Sequence, residues 1–138
     1  MAVATKEMKV GQELPTVRKE VTKDRIRLFG WWAMSNVHTD WGVASNWGVP
    51  GLIANGSMSK EFIAEMLIQF FGLGFLKGGE LDVTYIRYIL PGDTITAKGV
   101  IREKLAERAV VRFNIDVWCE NQRGEKVTVG TATCLLPK

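Results

Sequence analysis

The chain is poor in the residues that cross-link small proteins or build metal centres. Its 138 residues include two cysteines, Cys119 and Cys134, a single histidine, His38, and four prolines. The two cysteines have no C-x-x-C spacing and lie in strand-like segments, so they read as reduced, buried thiols, and neither a disulfide framework nor a metal or redox site is expected. No apolar run approaches the roughly 20 residues of a membrane span. Met1 to Lys9 lacks the apolar stretch and cleavage site of a signal peptide, so the expected location is the cytoplasm, with no membrane partner. Charge of one sign is not dominant: 18 basic against 15 acidic residues give a net charge of +3. The Lys and Arg residues are scattered and form no stripe along one segment, which argues against nucleic acid as a partner and fits an anionic small molecule equally well.

What is present is an average globular composition, with 46% hydrophobic and 24% charged residues. A chain of this size buries roughly two-thirds of its unfolded surface and can stand on a core alone. One domain over residues 1–138 is expected, with residues 1–8 flexible.

Hydrophobic spacing divides the chain into three parts. Val10 to Val21 reads as a weak first strand behind the turn residue Gly11. Thr22 can cap a short amphipathic helix through Lys23 to Ala33, where Ile26, Phe29 and Trp32 recur at helical spacing. Met34 to Gly56 keeps no period and is dense in Asn, Gly and Trp, and a loop of that length in a small domain points to function. A long helix is predicted over Ser57 to Phe71, with Met58, Phe62, Ile63, Met66, Leu67, Phe70 and Phe71 three and four apart and Ser57 or Ser59 as cap. Gly72 and Gly74 offer a stop and a flexible exit.

After Gly79 the pattern turns to alternation: Leu81 to Tyr88, then the turn Pro91-Gly92-Asp93, then Thr94 to Leu105 and Ala109 to Glu120. The turn Asn121-Gln122-Arg123-Gly124 leads into Glu125 to Leu136. A long apolar helix must be covered and an antiparallel sheet has an apolar face, so an α+β domain is expected with the sheet wrapped around the helix.

Chemistry points to the irregular loop. His38 stands in Ser35-Asn36-Val37-His38-Thr39-Asp40, among side chains able to hold water or orient an imidazole. Asn55-Gly56-Ser57 follows, just before the long helix. Glycine there allows close approach of a ligand, and the N–H groups of a helix start favour negative charge, including the developing oxyanion of a thioester carbonyl. A plain turn before a helix would use the same residues.

Taken together, these pieces resemble the MaoC-like, or R-specific enoyl-CoA hydratase, family of single hot-dog domains. The resemblance runs from about Met8 to Pro137. It rests on His38 followed by Ala44, on the Asn55-Gly56 step into the central helix, and on Arg87-Tyr88-Ile89-Leu90-Pro91-Gly92-Asp93-Thr94. The last hairpin, Asn121 to Glu125 with Val129-Gly130-Thr131-Ala132, completes it. The resemblance implies a hot-dog fold, a homodimer or dimer of dimers, and an acyl-CoA thioester bound along the subunit interface. Coenzyme A would then be part of the substrate, with no separate cofactor and no metal. It also implies hydration of a 2-enoyl thioester or dehydration of a 3-hydroxyacyl thioester, with His38 as base or acid and the Gly56–Ser57 step holding the thioester oxygen.

One position departs from the pattern. The family's Gly-Asp-x-Asn-Pro-x-His is replaced by Trp32-Ala33-Met34-Ser35-Asn36-Val37-His38, so the catalytic Asp is Ala33. Alanine neither orients a water nor takes its proton, and losing one member of such a pair commonly costs about 10²- to 10⁴-fold in rate. Asn36 could place a water. Asp40 is the nearby carboxylate that could compensate, or it caps a short turn from Trp41 to Ser45.

Trp31, Trp32, Trp41 and Trp47 crowd the same stretch. They either pack a domain edge or dimer contact, or, as Trp32, Trp41 and Trp47 would, line an acyl pocket of flat shape. Arg87 either meets coenzyme A phosphates or pairs with an acid on a neighbouring strand. A thioesterase is disfavoured, since Glu61 and Glu65 fall at solvated positions further into the helix. Two readings remain: an active hydro-lyase, or an acyl-CoA-binding subunit that has lost the chemistry and completes a heteromeric enzyme with a catalytic relative.

Overall fold

The computed structural model describes residues 3–29 and 56–138. Trp31, Trp32, Ala33, Asn36, His38, Asp40, Trp41 and Trp47 therefore lie outside the described residues. Those that are described form β1 (Val17–Glu20), α1 (Lys23–Phe29), α2 (Gly56–Phe71), α3 (Leu73–Leu76), β2 (Glu80–Tyr85), β3 (Thr94–Ala106), β4 (Val110–Glu120) and β5 (Lys126–Pro137).

The strands make one antiparallel sheet in the order β1-β3-β4-β5-β2. Consecutive hairpins explain β3-β4-β5. β2 crosses to the far side and pairs with β5, which leaves it at a sheet edge. The long helix α2 packs against all five strands, so the sheet wraps the helix as a hot-dog fold, the α+β arrangement that the hydrophobic spacing implied.

Alternation makes this packing possible. In β3 and β4, Ile95, Ala97, Ile101, Val111, Phe113, Ile115, Val117 and Cys119 turn to the helix and are buried. Their neighbours face outward, as the two-residue period of a strand requires. From α2, Met58, Ile63, Met66, Leu67, Phe70 and Phe71 meet them. The Phe71 ring lies 6.0 Å from that of Phe113 and 5.2 Å from Phe70. Burying a side chain of this size contributes about 1.5–3 kcal/mol. Gly130 is needed where β5 meets β2: a Cβ there would sit 2.0 Å from the Asp82 carbonyl oxygen.

Several expectations are corrected by packing. Thr22 does cap α1, accepting from the Arg25 N–H at 3.1 Å, but α2 begins at Gly56, which places Ser59 inside the helix, where it is buried against the sheet and does not cap. The first strand is only four residues, preceded by a single bridge between Glu13 and Val100. Near the start of the described chain, the Ala4 N–H donates to the Phe70 carbonyl at 2.8 Å and Met8 is buried, while Val3 and residues 5–7 are exposed. Gly74 is no flexible exit either. It lies in α3, against β5, where a Cβ would come 2.5 Å from the Leu135 carbonyl oxygen. Among the described residues no helix is long and apolar enough to cross a membrane.

Candidate functional site

Gly56 and Ser57 open α2, and no Asp or Glu occupies its first turn. The leading N–H groups of a helix have no partner within it, and the helix dipole places partial positive charge there. With no carboxylate of its own in that turn, this end favours an anionic or carbonyl oxygen.

The first turn is anchored from below. Cys119, Thr128 and Tyr85 stand side by side across β4, β5 and β2. The Ser59 and Thr128 hydroxyls share a hydrogen bond of 2.6 Å, both fully buried, and the Cys119 thiol donates to the Ser59 carbonyl at 3.5 Å. Buried polar groups must be bonded, so these contacts tie the helix start to two strands at once. Burial pushes the Cys119 and Cys134 thiols up to about 12. Both are free, neutral side chains of the core, as their positions in the strands suggested.

Tyr85 marks where the covered row ends. Leu81 and Val83, four and two residues earlier on the same face of β2, pack against the core, whereas Tyr85 is 48% exposed. The chain then leaves the sheet. The N–H groups of Ile86 and Arg87 both donate to the Val127 carbonyl, at 2.9 and 3.3 Å. Beyond them Asp93, buried in the Pro91-Gly92-Asp93 turn, accepts from the Leu90 N–H and from Gln122 Nε2, each at 2.9 Å. That carboxylate fastens the turn to the β4–β5 hairpin.

Between these two segments lies an open groove of about 610 Å³. One wall is Tyr85, Ile86, Arg87, Tyr88 and Leu90, and the other is Asn121, Arg123 and Glu125. Glu125 accepts from Asn121 Nδ2 at 2.9 Å and Arg123 Nε at 2.8 Å, with Arg87 at 3.6 Å. The Asn121 hydrogen bond, then that of Arg123, holds the Glu125 carboxyl below the usual carboxylate range. Thr128 pairs with Tyr85 and bonds Ser59, so the groove and the start of α2 occupy the same end of the sheet.

Of the residues singled out from sequence, Gly56 and Ser57 open the long helix, whose first turn reaches the sheet through Ser59 and Thr128, the strand neighbour of Tyr85. Arg87 takes the structural alternative, an ion pair with Glu125, while standing on the groove wall. Glu61 is exposed, and Glu65 pairs with Lys19 at 3.1 Å. Tyr85, Tyr88, Arg123 and Glu125 were not recognised as a group. The strand predicted to run through Tyr88 ends at Tyr85. A signal was present in both tyrosines of the chain falling within one four-residue stretch, 85–88, ahead of the Pro91-Gly92-Asp93 turn.

No protein-family model matches the sequence, and no curated protein does. Solved structures do match: the fold is that of MaoC-like dehydratases and R-hydratases. A MaoC-like dehydratase from Rhodospirillum rubrum superposes with a TM-score of 0.79 at 21% identity, over 96% of this chain and 94% of that one. The R-hydratase PhaJ1 from Pseudomonas aeruginosa gives 0.77 at 22% identity, over 96% and 84%. A HadBC (3R-hydroxyacyl-ACP dehydratase) complex from Mycobacterium tuberculosis gives 0.73 at 16%, over 96% and 100%. Identities this low establish the shared hot-dog fold.

Proposed function

We propose that the protein is a hydro-lyase that interconverts a 2-enoyl thioester and its 3-hydroxyacyl thioester. The observation that carries this reading is the start of α2. Gly56 opens a helix locked to the sheet through Ser59, with no acid in its first turn. Hydratases and dehydratases share the fold. In the hydration direction the Gly56 N–H receives the thioester oxygen as negative charge develops on it. His38 takes a proton from water held by Asn36 or Asp40, the water oxygen bonds to C3 as the C2–C3 π pair shifts toward the thioester oxygen, and protonated His38 returns the proton to C2. Trp32, Trp41 and Trp47 supply the acyl pocket. A thioester of coenzyme A is the proposed substrate class, and the cytoplasm the proposed location. The unit is a dimer or dimer of dimers, supported by the edge position of β2.

Ala33 supports a second reading, that this chain binds the thioester and completes the site of a catalytic relative, as subunits of a heteromeric dehydratase would. One experiment separates the two. Loss of conjugated absorbance is followed with a panel of enoyl-CoA thioesters for the wild type, His38→Ala, Asp40→Asn and Ala33→Asp. The hydro-lyase reading expects turnover that falls about 10²-fold or more in His38→Ala. Equal inertness of the wild type, His38→Ala and Asp40→Asn, with thioester still bound, leaves the subunit reading; activity appearing in Ala33→Asp would then show that only the acid was missing.

A further inference from the structure

Among the described residues, the buried polar side chains Asp93 and Asn121 belong to turns, whereas Ser59 and Thr128 lie within a helix and a strand. Their 2.6 Å hydrogen bond is set in an apolar core. Stability does not explain such a pair, because replacing both partners by apolar groups of similar shape is nearly neutral or stabilising. What the bond adds is direction, since its strength falls steeply with distance and angle. Ser59 is held a second time at its carbonyl, by the Cys119 thiol at 3.5 Å. One residue of α2 is therefore fastened at two atoms by two strands. Ser59 follows Gly56 by three positions, so the two share a helix face, about 4.5 Å apart along the axis. Just before Thr128, the Val127 carbonyl receives the N–H groups of Ile86 and Arg87. The same point of β5 thus holds both the helix start and the β2–β3 connection.

From this geometry we infer that Thr128 is a positioning residue: acting through Ser59, it sets the aim of the Gly56 N–H and so how strongly that donor polarises a thioester carbonyl. The inference rests on the thioester reading for its substrate. It goes beyond that reading by assigning the donor's aim to a strand residue 1% exposed, too buried to touch the substrate itself. The direction of the effect follows from the chemistry. Negative charge grows on the thioester oxygen as the reaction proceeds, so a donor that loses its aim weakens the transition state more than the bound ground state. A misplacement of about 1 Å costs on the order of 10²-fold in rate. Affinity for the thioester, made by many other contacts, changes little.

The test uses the full chain and butyryl-CoA labelled with carbon-13 at the thioester carbonyl. This probe has no double bond to hydrate, so its infrared carbonyl band reads the donor whether or not the chain turns over. Bound to the wild type, the band is expected at lower frequency than in the free thioester. In Ser59→Ala/Thr128→Val, which removes both hydroxyls at once, the urea midpoint and the affinity for butyryl-CoA stay near those of the wild type while the band returns most of the way to its free position. Thr128→Ser, which keeps the hydroxyl, retains the shift. With crotonyl-CoA as substrate, kcat falls roughly tenfold or more in the double variant at nearly constant KM, and Thr128→Ser retains it. A band unmoved by the double variant, an equal loss in Thr128→Ser, or a urea midpoint well below that of the wild type would each overturn the inference. Butyryl-CoA left unbound, or bound with no shift by the wild type, overturns it together with the assignment of Gly56 as donor. A shifted band without hydration of any enoyl thioester sinks the hydro-lyase and spares the positioning role. Turnover with a band indifferent to Thr128 does the reverse.

Discussion

The sheet has two faces built from the same alternating strands, and they are stabilised differently. Outward, charges meet charges: Lys98 and Glu120 at 2.9 Å, Arg102 and Asp116 at 3.2 Å, with the Trp118 indole N–H also donating to Glu120. Such pairs are solvated and screened, each worth about 0–1 kcal/mol. Inward, the strands present aliphatic and aromatic side chains to α2, with the Ser59–Thr128 hydroxyl pair as a polar contact in their midst. Stability resides on the inward face. The candidate site lies where that face outruns its cover on β2, since Leu81 and Val83 pack against the core and Tyr85 reaches solvent.

Four experiments probe this contrast, in descending order of expected effect. Phe113→Ala, at a fully buried inward position, should lower unfolding free energy by about 3–5 kcal/mol in urea titration. A loss below about 1 kcal/mol would mean that the inward face is not where stability lies. Gly130→Ala should cost about 1–3 kcal/mol, because its Cβ cannot pass the Asp82 carbonyl without moving β2. Hydrogen exchange should then quicken in Glu80–Tyr85 and leave β3 and β4 protected.

Alkaline pH attacks the inward face through its thiols. Cys119 and Cys134 stay protonated in the folded chain up to about 12, against an ordinary value of 9.0, so above pH 9 the unfolded state binds fewer protons than the folded one. Stability contributed by this difference is complete below pH 9 and falls as pH rises toward 12. At pH 10 the loss is about 1 kcal/mol per thiol, absent in Cys119→Ala/Cys134→Ala when pH profiles are compared. Smallest of all, Lys98→Met on the outward face should change stability by no more than about 1 kcal/mol, and by less in high salt. A larger change would erase the distinction between the faces.

Much of the fold was legible because burial imposes local periods. Ile63, Met66, Leu67 and Phe70 announce a helix with one deep face, and Val111, Phe113, Ile115 and Val117 announce a strand, whatever lies opposite them. Ser59 was misread because a serine near a helix start usually caps it, and only the neighbouring Thr128 on β5 gives its hydroxyl another partner. The strand ending at Tyr85 was overrun because Ile86 to Tyr88 continue the alternation, while the Val127 carbonyl takes both following N–H groups and turns the chain away. At the candidate site, Gly56 stands out in the sequence by its place before the helix. Arg123 and Glu125 read only as hairpin residues.

By itself the sequence determined which segments are helix and strand, which faces are apolar, and that Ala33 stands where an acid would be expected, because these follow from residue identity and spacing along the chain. The tertiary structure alone decided that Arg87 and Arg123, 36 residues apart, share one carboxylate beside two tyrosines. It also decided that the start of α2 is clamped at the same end of the sheet. The reason is physical: a groove is made by groups distant in sequence, and their convergence depends on the pairing of β2 with β5, a choice made by packing around the helix.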